Sequence, residues 1–260
     1  MIINDLMGGL GNQLFQISAG FAHAKNIKTD YAINYKIGSI YNGQGHPHMR
    51  YKDNLYKNIP ETNNNYFSIY KEPKYSFTQI PKLDNLCLLG YFQSKKYFLG
   101  YEEEVKSLFE FPNPLIKKVM NKFDKIKKKK VGIHFRLGDY RLENTKEVFY
   151  NIDYSLYLKE TTKYFGNEYE FLIFSDDVNW VNNNINLQNT SYEILKPSLS
   201  PAKDMALMSL CNHNIIANST FSWWAAWLNS SVNKIVITPQ KWLKKDPQPI
   251  GLKIPEWISF

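Results

Sequence analysis

The chain of 260 residues carries 32 Lys and Arg against 24 Asp and Glu, a net charge of +8, and only two cysteines, Cys87 and Cys211. Two cysteines in apolar settings exclude a disulfide framework and suit a reducing cytosol. No apolar run approaches the ~18–20 residues that span a bilayer, and no basic region precedes a hydrophobic stretch. The expectation is therefore a cytoplasmic protein without a membrane anchor.

The first predicted element is a strand through Ile2, Ile3, Leu6 and Met7, entering the turn Gly8-Gly9-Leu10-Gly11-Asn12-Gln13. Leu14, Ile17, Phe21 and Ala24 then recur at helical spacing. Glycines let backbone N–H groups approach an anion, and a helix amino end favours negative charge. Gly9, Gly11 and Asn12 are the ligand candidates, although the spacing matches neither the dinucleotide nor the P-loop fingerprint. A purely structural tight turn is an equal reading.

From Tyr35 to Pro81 the chain reads as loop-rich. Tyr41–Tyr51 (with Gly43, Gly45, His46, Pro47 and His48) and residues 63–65 look irregular. Such loops often carry binding specificity. His46 and His48 lack a nearby third ligand, which makes a polar loop the better reading than a metal site. Further on, Asn113 and Pro114 open an amphipathic helix with Ile116, Val119, Phe123 and Ile126 on one face. It is expected to end in Lys125, Lys127, Lys128, Lys129 and Lys130, where the helix dipole favours cations. A solvated helix end explains this run best; contact with an anionic membrane ranks second, and nucleic acid last, for want of a recognition motif.

From Val131 the pattern changes. Strand-like runs at Val131–Phe135, Tyr169–Ser175, Asn214–Ala217 and Lys234–Thr238 alternate with helical stretches at Asp153–Tyr164, Asp204–Leu210 and Ser222–Leu228. Alternation of this kind predicts an α/β fold with a parallel sheet, whose ligand site lies at the carboxyl ends of the strands. Three motifs fall there. His134-Phe135-Arg136-Leu137-Gly138-Asp139-Tyr140 offers a histidine, a guanidinium and a carboxylate. Phe171–Asp177 ends in Asp176, read as a ligand contact, and Asp177, read first as a helix cap. A rival reading pairs these aspartates around a divalent cation. Asn218-Ser219-Thr220-Phe221-Ser222 brings hydroxyls and N–H groups to a helix start, ahead of Trp223, Trp224 and Trp227, which read as core.

Taken with Gly90-Tyr91-Phe92-Gln93-Ser94 and Lys96-Tyr97-Phe98, these motifs resemble the bacterial-type α-1,2-fucosyltransferases of glycosyltransferase family 11 over most of the chain. The resemblance implies a GT-B-type enzyme with two Rossmann-like domains. Residues 1–130 would form the mainly acceptor-side domain and 131–260 the domain that binds GDP-β-L-fucose. It further implies inversion at the anomeric carbon, no cofactor and no metal. The acceptor would be the 2-hydroxyl of a galactose in a glycan, free or lipid-linked. Arg136 matches the arginine that related fucosyltransferases place on the donor diphosphate. One departure stands out: where the family writes a second arginine, this chain has Leu137. Asp139 is the first candidate for a catalytic base and Glu143 the second, with orientation of Arg136 as the alternative role for Asp139. His134 reads as a base or ribose contact, as do Asp176 and Asp177, and Ser219–Ser222 as phosphate donors. The 15% aromatic content suits a sugar binder. Alternatives are another fucosyl linkage (α-1,6 or protein O-fucosylation) and a relative that binds without turnover. On this reading, transfer persists in excess EDTA. Loss on chelation, restored by one divalent ion, would make Asp176 and Asp177 metal ligands.

Overall fold

The computed structural model describes residues 1–37, 47–65, 67–74, 76–123, 125–143, 145–187, 190–198 and 200–260, without the side chains of 118, 119 and 122. The expected loop residues Gly43, Gly45 and His46, and the side chain of Val119, therefore lie outside the described part. The chain divides into two compact units, Met1–Pro112 with Pro249–Leu252 and Asn113–Gln248 with Lys253–Phe260.

In the first unit, β1 (Ile2–Asn4) leads through the glycine turn into α1 (Leu10–Asn26). Strands β2 (Ser68–Lys71) and β3 (Leu86–Leu89) follow, then α2 (Glu102–Leu108). The sheet order is β1-β3-β2, all parallel. Parallel bridges Ile2↔Tyr31 and Ile33↔Glu61 extend the pairing on the β1 side. Strand β2 falls in the segment read from sequence as loop. Its residues are mostly exposed, so it carries no apolar alternation to betray it.

The second unit contains α3 (Asn113–Phe123), β4 (Lys129–Phe135), α4 (Tyr154–Thr161), β5 (Tyr169–Ser175), α5 (Val178–Asn184) and β6 (Ser191–Ile194). It continues with α6 (Pro201–Ser209), β7 (His213–Ile215), α7 (Thr220–Leu228), β8 (Val236–Thr238) and β9 (Ile258–Ser259). The division falls at Pro112 rather than at 130 because α3 packs against α6, within the second unit. The lysine run also differs from expectation. Helix α3 stops at Phe123, and pairing of Lys129 with Tyr169 and of Lys130 with Glu170 draws the last two lysines into β4.

All strands of this unit are parallel, in the order β6-β5-β4-β7-β8-β9. The chain builds outward from β4 in one direction and from β7 in the other, so the topological switch lies between β4 and β7. In doubly wound sheets ligands bind in the crevice at that point. On one face, Val131, Ile133 and Phe135 pack with Tyr157 and Leu158 of α4 and Val181 of α5. On the other, a Cβ at Gly132 would lie 3.1 Å from the Cys211 sulfur and 3.2 Å from the Asn214 amide nitrogen, so a side chain there would push on the segment between α6 and β7 and on β7 itself. Trp223 and Trp224 of α7 are fully buried, as expected of core tryptophans.

Leu137 is only 2% exposed and belongs to the same core cluster as Phe135, Ile152 and Tyr154. Strand alternation sends it to the opposite side from Arg136. Leu137→Ala should cost about 2–5 kcal/mol through the cavity it leaves. Leu137→Arg should cost at least as much by burying an unpaired charge. Denaturant titration checks both; an unchanged midpoint for Leu137→Arg would contradict the burial.

Candidate functional site

The site is built at the ends of β4, β5 and β7. The full β4–β5 register, ending at Phe135↔Ser175, sets Arg136 and Asp176 one residue beyond paired positions. There the Arg136 guanidinium reaches two carboxylates, Asp139 at 2.6 Å and Asp176 at 2.9 Å. Burial disfavours the charged guanidinium, but Asp176 and Asp139 outweigh it and hold its pKa above the ordinary value. Asp176 also accepts the N–H of Leu137 at 2.9 Å and of Gly138 at 3.1 Å, so one carboxylate fixes both the arginine and the turn after it. The Tyr154 phenol accepts from the Arg136 N–H at 3.0 Å and donates to its carbonyl at 3.3 Å. Arg136 keeps 31% side-chain exposure, and its fork has five donors for two partners.

Asp177 takes the cap role expected for it, its carboxylate accepting the Trp180 N–H at 2.9 Å. A second, longer contact runs to Arg141 at 3.8 Å. The two aspartates thus engage different partners. Among the described residues no cluster of three His, Cys, Asp or Glu side chains suits a metal ion.

Across the switch point, the N-cap Ser219 opens α7, and a helix's first N–H groups lack intrahelical partners. Phe221 of α7 lies 5.4 Å from the His134 ring. His134 is 5% exposed, and among the described residues its Nδ1 has no partner. Burial lowers its pKa to about 4, against the attraction of Asp176, so the ring is neutral near pH 7. The Tyr140 hydroxyl donates to the Asn218 carbonyl at 2.8 Å, and its ring stacks on Phe149 at 3.8 Å. That bond ties the β4 loop to the β7 loop.

Several expected ligand contacts have internal roles instead. The Asn218 amide donates to the carbonyls of Tyr150 and Trp242, each at 2.9 Å. Ser222 is fully buried, and its hydroxyl donates to the Ser219 carbonyl at 3.2 Å and the Ala217 carbonyl at 3.4 Å. Both residues can serve an anion only through their main chain. Glu143 stands apart from the cluster, 89% exposed and paired with Lys146. Thr220 and Phe221 remain half-buried at the helix start.

In the first unit the glycine turn is also knitted internally. Gly8, at φ +75°, is the glycine the backbone needs, and a Cβ there would meet Asn12 at 2.6 Å. Gly9 has an ordinary φ of −73° as the N-cap, and Gly11 lies inside α1. Asn12 accepts from Gln93 at 2.9 Å, while Gln13 donates to the Gly8 carbonyl at 2.9 Å. Gln16 accepts from the Met7 N–H at 3.0 Å and donates to its carbonyl at 2.9 Å.

Sequence reasoning missed Tyr154 and Glu72. Glu72 accepts the N–H groups of Tyr91 and Phe92, both at 2.8 Å, and the Tyr97 hydroxyl at 3.0 Å. It thereby holds Phe92 at φ +51°, and burial raises its own pKa. No local signal marks either residue, since their partners lie 18 to 25 positions away. Tyr140 was legible as part of its motif, but its bond to Asn218 was not.

The profile of "Glycosyl transferase family 11" matches residues 10–259. The chain belongs to glycosyltransferase family 11. Within the family, it is 28% identical to an Escherichia coli alpha-1,2-colitosyltransferase over 95% of this chain and 93% of that protein. The E. coli O-antigen biosynthesis glycosyltransferase WbnK is 32% identical over 67% of this chain, a match spanning 60% of that relative. A galactoside alpha-(1,2)-fucosyltransferase 1 from Leontocebus fuscicollis is 26% identical over 67% of this chain and 52% of its own length. The fold is that of the fucosyltransferase NodZ from Bradyrhizobium, with a TM-score of 0.56 at 12% identity over 86% of this chain and 92% of that one. This family-11 glycosyltransferase is accordingly an α/β protein of GT-B type. Among the described residues no helix is long and apolar enough to cross a membrane.

The neutral, buried His134 has a consequence for acid stability. Its folded pKa of about 4 lies below the unfolded value near 6.5, so the unfolded chain binds more protons between those limits. Stability is fully present above pH ~6.5 and falls as the pH drops towards 4, by up to about 1.4 kcal/mol per unit from this group. His23, His48 and His213, also lowered by burial, act in the same sense. Denaturation across pH 4–7 should show a shallower slope for His134→Gln; an unchanged slope would refute the assignment.

Proposed function

We propose that this glycosyltransferase moves L-fucose from GDP-β-L-fucose to the 2-hydroxyl of a galactose in a glycan, with inversion. The observation that carries the reading is Arg136, held between Asp139 and Asp176 at the end of β4, the strand that neighbours β7, which leads into α7. As the C1–O bond of the donor breaks, the electron pair stays with the leaving β-phosphate, and the sugar takes on oxocarbenium character. A guanidinium with unused donors, together with the first-turn N–H groups of α7, suits that growing negative charge. The acceptor oxygen forms the new bond from the opposite face of the sugar and gives up its proton. Asp139 is the carboxylate beside Arg136 that can receive the proton; its other role is to orient the guanidinium. His134, neutral and flanked by Phe221, suits a contact to the base or ribose, with Asp176 and Asp177 nearby. Gly9, Gly11 and Asn12, in the glycine turn of the first unit, are the donor-binding residues this reading takes from that unit.

The α-1,2 linkage is supported by the names of the relatives, and a glycan acceptor of polysaccharide type, free or lipid-linked, by the O-antigen relative. A colitose donor is the second reading, favoured because the colitosyltransferase matches along nearly its whole length. Both cysteines are free and buried, in keeping with a reducing cytosolic setting.

Release of GDP with a β-galactoside acceptor, followed by linkage analysis of the product, tests the proposal, with fucose and colitose donors run side by side. Arg136→Ala should lower turnover by roughly 10²-fold or more, since the contact strengthens as the phosphate leaves. Arg136→Lys should recover little, because a point charge cannot reproduce the fork. Near-normal turnover in both variants would remove Arg136 from the reaction.

A further inference from the structure

Behind the Arg136 loop, wholly within the second unit, lies a half-open cleft of about 500 Å³. That volume falls inside the ~300–1,000 Å³ range usual for small-molecule sites. Trp180 of α5 and Tyr154 of α4 supply aromatic wall, and the Asn151 amide can read hydroxyls; the Asn184 amide nitrogen donates to the Trp180 carbonyl at 2.8 Å, which leaves its oxygen to accept. Three cations also line it, Arg141, Lys146 and Lys244, against a single carboxylate, Asp153. One Asp153 oxygen already caps α4 by accepting the Leu156 N–H at 3.1 Å.

The carboxylates that accompany these cations are not part of the lining and pair with them at the surface, Glu143 with Lys146 at 2.7 Å and Glu147 with Lys244 at 3.1 Å. Glu143 and Glu147, partners of Lys146 and Lys244, are 89% and 70% exposed, and the Arg141–Asp177 contact is 3.8 Å long. Exposed pairs of this kind contribute about 0–1 kcal/mol, so an incoming anion can replace them. The Arg141 guanidinium lies 4.3 Å from the Trp180 ring, joining positive charge to an aromatic plane. A nucleotide is not the natural occupant, because Asp176, His134 and the α7 start do not line the cleft. The combination of aromatic surface, amides and cations fits a sugar ring that bears an anion. The cleft also adjoins the reaction loop. Arg141 ends the short turn Asp139–Arg141 that follows Arg136, and Tyr154 in the wall is the residue that clamps the Arg136 main chain.

We propose that this cleft binds a negatively charged sugar residue of the acceptor glycan, carrying a carboxylate or a phosphate. The inference rests on the glycosyltransferase reading, and it would make the natural acceptor an acidic glycan.

The test is calorimetry on the full chain with three probes: methyl β-glucuronide, galactose 6-phosphate and methyl β-galactoside. At least one acidic probe should bind roughly tenfold or more tightly than the neutral galactoside, and comparison of the two acids identifies the carboxylate or the phosphate as the anion. The double variant Lys146→Ala/Lys244→Ala should lose that preference at an unchanged thermal midpoint. If the double variant unfolds, Trp180→Leu should weaken the acidic probe by a similar factor. Equal binding of neutral and acidic probes, or an acidic preference that survives in a folded double variant, would overturn the proposal. GDP binding on the same samples reports the switch-point site separately: its loss would count against the donor reading, whereas its retention without acidic-sugar binding would count against this cleft alone.

Discussion

The second unit's site depends on one carboxylate, Asp176. It meets the Arg136 guanidinium and accepts the N–H groups of both Leu137 and Gly138. A partly buried guanidinium without a partner would be costly, and so would an unpaired N–H at the buried Leu137. Asp176 resolves both at once, and Asp139 completes the arginine's pairing from within the same turn. The arrangement is inherited from strand register. Because β4 and β5 pair residue for residue up to Phe135↔Ser175, the next residues of the two strands face each other. A slip of one residue would move Leu137 out of the core together with the carboxylate, so hydrophobic packing and the ion pair enforce the same alignment.

Tyrosines carry that alignment across the sheet. Tyr154 clamps both backbone groups of Arg136, Tyr140 bonds to the Asn218 carbonyl, and Tyr157 donates to the carbonyls of Ile216 and Ile237 at 2.9 and 3.3 Å. Burial pushes the pKa of all three phenols up, which keeps them protonated and able to donate. The loops after β4 and β7 are therefore cross-linked at the switch point, while the buried Trp223 and Trp224 fix the helix that opens there.

Polar residues in a recognisable motif divide between those that face a site and those that build it. Gln13, Gln16, Asn218 and Ser222 all sit in motifs that read as ligand-binding, yet their side chains satisfy neighbouring backbone groups. A glycine-rich or strand-end turn exposes carbonyls and N–H groups that a helix or sheet would otherwise pair, and buried ones must find partners. Amide and hydroxyl side chains are the nearest supply. Arg136, Asp139, Thr220 and Phe221 keep partial exposure at the same strand ends.

Local pattern in the sequence determined a good deal by itself. Apolar runs ending in polar motifs located β4, β5 and β7, and their alternation with helices implied a parallel sheet with its site at the strand ends. Helical spacing located α1, and the position of Asp177 before α5 identified a cap. Tertiary structure alone decided which strands are neighbours, and hence that Arg136 meets Asp176 and that Glu143 lies outside the cluster; strand alternation had already turned Leu137 away from Arg136, and the structure added that it enters the core. It also revealed β2 and β6, whose exposed or half-buried residues lack periodic contrast, and the division of the chain before α3. The reason is range. Periodicity, capping and turn chemistry act over a few residues, whereas the Asp176 contacts span 38 and 39 positions, the Tyr140–Asn218 bond spans 78, and both require the sheet to have closed.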